Sequence, residues 1–92
     1  MQYALIYINI HMNKNLHLQY FNSNTLLLVN QKGQIKMLYT PFRVVCISAV
    51  SRINSNTWVY VDEVLSSDKD ELQYVIFNQP YSYKHFKLPI MF

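Results

Sequence analysis

The sequence has very little glycine, cysteine or charge. Of its 92 residues one is glycine and one is cysteine, and charged side chains make up only 14%. Because Gly33 is the only glycine, the chain has no glycine-rich loop that could cradle a phosphate group as a P-loop or a dinucleotide-binding turn does. The single Cys46 excludes an intramolecular disulfide and suits a reducing compartment. We therefore expect a cytoplasmic protein.

Signals for export or membrane insertion are also missing. The apolar stretch YALIYI near the start is not preceded by Lys or Arg and is interrupted by Asn9 and His11, so it lacks the parts of a signal peptide. No apolar run approaches the roughly 20 residues that a membrane-spanning helix needs. The sequence predicts no membrane partner.

Residues that could bind a metal ion are few and widely spaced. The histidines are His11, His17 and His85, and the first two would lie roughly 20 Å apart on an extended strand. The acidic loop SSDKDE, residues 66–71, lacks the glycine and the spacing of an EF-hand. We expect neither a metal nor a cofactor.

Pairs of residues that could carry catalysis are absent from the sequence pattern. Asp62 and Glu63 are adjacent, so on a strand they point to opposite faces and cannot act as an acid/base pair. Cys46 lies in the apolar run VVCIS without a neighbouring base, and a nucleophile pair with His85 has no support in the sequence. We predict that the chain is not an enzyme.

The residues that the chain does contain favour β-strands. It has eight Tyr, five Phe and one Trp, against one Gly and three Pro. From Met37 onward, short apolar runs alternate with clusters rich in Asn, Asp and Ser, which mark turns. The runs are FRVVCIS (42–48), WVYVDEVL (58–65), LQYVIF (72–77) and PYSY (80–83). Connections this short leave no room for crossover helices, so the sequence predicts an all-β fold.

Residues 37–92 are expected to form a small SH3-like barrel or an antiparallel meander, of about four to six short strands. The short strands and the acidic loop between two central strands resemble small SH3-like barrels. The resemblance concerns architecture alone, because the ALYDY-like start and the Pro-Ser-x-Tyr end of peptide-binding SH3 domains are missing. It implies no proline-rich ligand. After the last strand, SYKHFKL predicts one short helical turn, with Phe86 and Leu88 closing the end of the barrel.

Strand register can be predicted from the turns. With SSDKDE as one loop and Asn78–Gln79 as the next turn, Leu65 lies opposite Leu72, and alternation then defines two faces. The core face is predicted to carry Val59, Val61, Leu65, Leu72, Tyr74, Ile76, Tyr81 and Tyr83. Glu63 is the one residue on this face that does not fit a core, because it is charged. On this interpretation the three tyrosines are mainly core residues rather than a recognition surface.

The opposite face carries the candidate binding residues. The same register sets Tyr60 opposite Phe77, with Trp58 two positions along, so that Trp58, Tyr60 and Phe77 form an aromatic cluster on the side not needed for the core. Aromatic side chains are enriched where partners bind. The alternative is that residues 1–36 fold back and cover this cluster.

These features predict a small non-catalytic binding or interaction module of unknown partner, with another protein or a second copy of the chain as the expected partner. The alternative is a small single-stranded nucleic-acid-binding barrel, in which bases would stack on the exposed rings beside Arg43, Lys84 and Lys87. Residues 37–92 carry five basic and five acidic residues, and this balance favours the first interpretation.

Residues 1–36 differ in composition from the rest. They contain three lysines and no acid, and 17 of the 36 positions are Asn, Ile, Lys, Tyr or Phe, whose codons are rich in A and T. One interpretation is an N-terminal extension, a tail or an extra edge hairpin, lying upstream of a natural start at Met37. The other is a hairpin formed by TLLLV (25–29), a turn at residues 31–33 and QIKMLY (34–39), with LHLQY (16–20) as a further strand. We expect residues 37–92 to be the barrel domain.

Overall fold

The computed structural model describes residues 4–9, 16–69 and 71–90, which form ten β-strands and one turn of 3-10 helix. In chain order the strands are β1 (Ala4–Asn9), β2 (Leu16–Asn22), β3 (Thr25–Asn30), β4 (Ile35–Tyr39), β5 (Phe42–Cys46), β6 (Trp58–Val61), β7 (Glu63–Ser66), β8 (Leu72–Ile76), β9 (Gln79–Ser82) and β10 (Phe86–Lys87). The prediction of an all-β protein is confirmed. Within the described ranges, no helix has the length and apolar character needed to cross a membrane.

The first four strands form one antiparallel sheet in the order β1-β2-β3-β4. The turn between β3 and β4 is held by Asn30, whose side-chain oxygen accepts hydrogen bonds from the backbone N–H groups of Lys32 and Gln34 at 3.0 and 2.9 Å. Gly33 in this turn has a φ of 78°, a left-handed conformation that favours glycine. The hairpin that the sequence suggested for residues 25–39 is therefore present.

This sheet contributes to the same hydrophobic core as the strands that follow. Leu26 and Leu28 of β3 are fully buried and pack in one cluster with buried residues of β5 to β8. Strand β4 runs across Met37, the position proposed above as a natural start. The division into 1–36 and 37–92 stays a prediction, but its boundary falls inside a strand.

The later strands form two three-stranded antiparallel sheets, β10-β5-β6 and β7-β8-β9. Only Asp62 separates β6 from β7. The Asp62 N–H donates to the Val75 carbonyl oxygen at 2.9 Å, and Glu63 is the ladder partner of Val75. Two consecutive residues thus face one, which is the geometry of a β-bulge. The bulge lets one stretch of chain serve two sheets, with β6 pairing to β5 and β7 pairing to β8.

The bulge also resets the alternation of faces and overturns part of the predicted core. Leu72 pairs with Ser66 rather than with Leu65. Val64 is buried, at 1% exposure, whereas Leu65 is 37% exposed. The predicted core residues that are buried are Val59, Val61, Leu72, Tyr74 and Ile76. The prediction was wrong for residues 63–65, because it assumed an unbroken alternation through Asp62, and Glu63, the misfit, is exposed on the outside.

The turn between β8 and β9 lies one residue earlier than predicted. Ile76 pairs with Gln79, so the loop residues are Phe77 and Asn78, with φ values of 51° and 63°. Two positive φ values in a two-residue loop match the turn whose twist best fits a hairpin. A turn at Asn78–Gln79 would set Tyr74 opposite Tyr83, whereas in the structure the partner of Tyr74 is Tyr81.

The three tyrosines differ in burial. Tyr74 is fully enclosed, and its ring lies 5.8 Å from that of Phe42 and 6.0 Å from that of Phe86. Burial raises the pKa of the Tyr74 hydroxyl well above its usual value, and Tyr83 adds to this shift. Tyr81 and Tyr83 are half-buried against the core. The interpretation of these residues as packing residues is confirmed for Tyr74 and holds in part for the other two.

The helical turn predicted after the last long strand is present at Tyr83–His85. The Ser82 hydroxyl accepts a hydrogen bond from the Lys84 backbone N–H at 3.3 Å and caps it. The chain then enters β10, which pairs with β5, and Phe86 and Leu88 are buried as expected.

Candidate binding surface

The sheet β10-β5-β6 has one buried and one exposed face. On β5 the buried residues are Phe42, Val44 and Cys46, which alternate with Arg43 and Val45. Paired residues in an antiparallel ladder share a face, so the partners of Arg43 and Val45 also point away from the core. The outer face can therefore be derived from the register.

Two cross-strand rows make up this outer face. Val45 pairs with Trp58 on one side and with Lys87 on the other, and Arg43 pairs with Tyr60. These five residues are called the β6 surface below. Trp58 and Tyr60 remain 51% and 58% exposed, so both rings are open to solvent.

Arg43 and Trp58 are in contact on this surface. The guanidinium carbon lies 4.9 Å from the centroid of the indole ring, within the range of a cation–π interaction. Such a contact holds the indole in a fixed orientation while the ring stays half exposed. The sequence placed Arg43 near this face, and the ladder explains the contact because Arg43 is diagonal to Trp58.

The β6 surface carries positive charge only. The strands β5, β6 and β10 contain Arg43 and Lys87 and no acidic residue. Lys84, which the sequence had grouped with them, instead bonds to Glu71, with 3.3 Å between Nζ and Oε2. The Ser82 hydroxyl and the Lys84 ammonium together hold the pKa of the Glu71 carboxyl below its usual value.

Phe77 occupies a different local environment from the other two candidates. It lies in the β8–β9 turn, has no ladder partner and is 73% exposed. Among the described residues, no aromatic ring contact joins it to Trp58 or Tyr60. It lines a groove of about 550 Å³. The groove is lined by Ser51, Arg52, Ile53, Phe77, Gln79 and Tyr81.

Cys46 and His85, the two residues of the possible nucleophile pair, both lie close to the Ser48 carbonyl oxygen. Cys46 is fully buried, and its Sγ donates to the Ser48 carbonyl oxygen at 3.4 Å. The His85 ring Nδ1 lies 3.1 Å from that same oxygen. In the described part of the chain, no three His, Cys, Asp or Glu side chains are close enough to hold a metal ion. His11, one of the three histidines, lies outside the described residues.

A second exposed apolar stripe was not selected from the sequence. Ile35, Met37 and Tyr39 alternate along β4 with exposures of 63%, 39% and 63%. The Tyr39 hydroxyl donates to the Met37 sulfur at 3.6 Å. The alternation in QIKMLY was visible, but sequence alone does not say which side of an edge strand faces the core. The structure adds this stripe as a further exposed region.

Comparison with protein-family models, with curated proteins and with solved structures gives no match. A function for this chain is therefore inferred from the geometry of the surface itself.

Proposed function

We propose that this chain is a small, non-catalytic binding module that recognises its partner through the β6 surface, with Trp58 and Tyr60 at the centre. The single observation that carries the proposal is the exposure of both rings, side by side on a strand whose other face is buried in the core. Aromatic rings held on a rigid strand bind with little loss of side-chain freedom, which is why such residues dominate binding energies.

The strand path supports the finer proposal that residues 37–92 form a small SH3-like barrel. β10 pairs with β5, β5 with β6, and β6 continues through the bulge into β7, which pairs with β8 and then β9. A single chain stretch shared between two small sheets, and a short helical turn before the last strand, fit that architecture. In this arrangement the β6 surface lies on the outside.

The proposal is tested by fluorescence and by variants of the full chain. Trp58 is the only tryptophan, so its emission reports on this surface alone. We expect red-shifted emission that acrylamide quenches. A blue-shifted emission shielded from acrylamide in the monomer contradicts the proposal.

Partner capture with identification of the bound molecules provides the functional test. We expect Trp58→Ala combined with Tyr60→Ala to abolish binding while the cooperative melt is retained. Tyr39→Ala is the matched control, because Tyr39 is also an exposed strand tyrosine, at 63% exposure, but lies on β4. Loss of binding in the control, or retention in the double variant, contradicts the proposal.

A further inference from the structure

We propose that the ligand of the β6 surface is a single-stranded nucleic acid. This inference rests on the proposed function above and names the class of partner for the same surface. The outer face of β10-β5-β6 combines two exposed rings with two cations, and within the described strands it has no acid. A ligand that complements it must carry negative charge and flat apolar groups at regular intervals.

The two rings have the spacing of a stacking platform. Trp58 and Tyr60 are two residues apart on one strand, so their Cα atoms are separated by about 7 Å and their side chains point to the same side. An unpaired strand can splay consecutive bases onto two such rings, and stacking tolerates every base because each has a flat face. Duplex bases are already stacked and cannot do this.

Both cations lie on the same side of the rings. Arg43, on the adjacent strand β5, is the ladder partner of Tyr60 and contacts the Trp58 ring, and Lys87 lies one strand further, on β10, across Val45 from Trp58. A nucleic-acid strand whose bases stack on the rings would place its backbone phosphates over β5 and β10, where these two cations lie. The guanidinium plane also offers a stacking surface for a base.

The surface charge differs from that of the whole barrel region. The balance of five basic and five acidic residues in 37–92 counted against nucleic acid, but none of those acids lies within β5, β6 or β10. Asp62 and Glu63 directly follow β6, and the other three acids lie at residues 68–71, where Glu71 pairs with Lys84. An acidic polypeptide would also satisfy Arg43 and Lys87, but it would leave both rings without flat partners. The charges and rings together therefore favour nucleic acid.

The test uses the full chain with fluorescently labelled oligothymidylate and oligouridylate of about twelve nucleotides. We expect both strands to quench Trp58 emission, and a difference between them would distinguish DNA from RNA as the source. Two phosphate contacts predict a slope of log affinity against log salt of roughly −1.4. A duplex of the same length is expected to bind more weakly.

Variants assign the binding to this surface. Tyr60→Ala should weaken affinity about tenfold or more, whereas Tyr39→Ala should leave it unchanged. Arg43→Gln should reduce the salt slope by roughly 0.7. Arg52→Gln is the matched control, since Arg52 lies in the loop between β5 and β6, and it should leave the slope unchanged. Circular dichroism melts of each variant exclude loss of fold as the cause.

The outcomes separate the two proposals. No binding of either oligonucleotide at low salt, or binding equally reduced by both arginine variants, overturns the nucleic-acid inference. If polyglutamate quenches Trp58 and Tyr60→Ala removes that binding while oligonucleotides fail, the binding module stands and its ligand is an acidic polypeptide. A Trp58 shielded from acrylamide in the monomer overturns both.

Discussion

The hairpins β3–β4 and β7–β8 have similar lengths but were not equally predictable. In β3–β4 five consecutive residue pairs run from Thr25 opposite Tyr39 to Val29 opposite Ile35 without a break. In β7–β8 the pairing follows directly on the Asp62 bulge, and the register differs by one from that expected. Alternation therefore predicts the faces within an unbroken strand and fails across a bulge.

The largest effect is expected when the residues before Met37 are removed. This change tests whether the second hairpin folds without the first. A chain that begins at Met37 loses Leu26 and Leu28, both fully buried. Burial of each leucine contributes about 1.5–3 kcal/mol, a large part of the stability of so small a protein. The composition predicts that residues 37–92 form a domain of their own, whereas the burial of these two leucines predicts that the shortened chain is unfolded by circular dichroism. A cooperative melt with a strand-type spectrum would show instead that residues 37–92 are independent.

The next largest effect is expected for substitutions just after the bulge at Asp62, and these test whether the bulge is present. Val64→Ala removes two buried methyl groups and should lower the free energy of unfolding by about 1–3 kcal/mol. Leu65→Ala changes a partly exposed residue, at 37% exposure, and should cost no more than about 0.5 kcal/mol. Urea denaturation of both variants decides the matter. If Leu65→Ala lowered the free energy of unfolding more than Val64→Ala, the unbroken register predicted from the sequence would be correct.

The turn of the first hairpin gives a smaller effect. Gly33 has a φ of 78°, and a Cβ added there would meet no atom within 4 Å. Gly33→Ala should therefore cost only the backbone strain of a left-handed residue, about 1–2 kcal/mol, measured by thermal denaturation. Gly33→Asn is the control and should cost less, because Asn tolerates this conformation. Equal losses would mean that the backbone conformation is not the cause.

In the turn of the β8–β9 hairpin, by contrast, a substitution should raise the stability of the protein. Phe77 holds a φ of 51° with a bulky side chain, whereas Asn and Gly are the usual residues in such a turn. We expect Phe77→Asn to raise stability by about 1 kcal/mol, seen as a higher melting temperature. A lower melting temperature would mean that the contacts of Phe77 in its groove outweigh the backbone strain.

The smallest effect concerns Glu71, at the end of the loop between β7 and β8. Its pKa is lowered in the folded protein, so its stabilising contribution is present above the pKa of the unfolded state and is lost as the pH falls through the folded pKa. Glu71→Gln should cost at most about 1 kcal/mol at neutral pH, because the pair with Lys84 is exposed. At a pH below the folded pKa the variant and the wild type should have equal stability. If the difference in stability between the variant and the wild type did not change with pH, the packing of Glu71 and not its charge would be the cause.

Much of the fold follows from local pattern. The apolar runs and turn clusters located β5, β6, β8 and the helical turn at Tyr83–His85 because each signal is contained in a few neighbouring residues. The break at Asp62 was signalled only by Glu63, a charged residue on the expected core face. A misfit of this kind indicates a bulge, but sequence alone does not fix the residue at which it occurs.

The candidate surface was predictable in part for the same reason. Trp58 and Tyr60 lie before the bulge, where alternation is regular, and both are exposed. Phe77 lies where a turn with two positive φ values replaced the expected strand, because the twist of the hairpin outweighed the poor fit of Phe to that conformation. The contact between Arg43 and Trp58 depends on the pairing of β5 with β6, which no single stretch of sequence encodes.

Because Cys46 is buried, its reaction with a thiol reagent reports on the opening of the sheet β10-β5-β6. Its thiol is fully enclosed and bonded to the Ser48 carbonyl oxygen, and it is the only cysteine in the chain. A thiol-modifying reagent can therefore react only when the sheet β10-β5-β6 comes apart. The labelling rate at increasing reagent concentration then measures how often this sheet opens under native conditions, without denaturant and without an engineered cysteine.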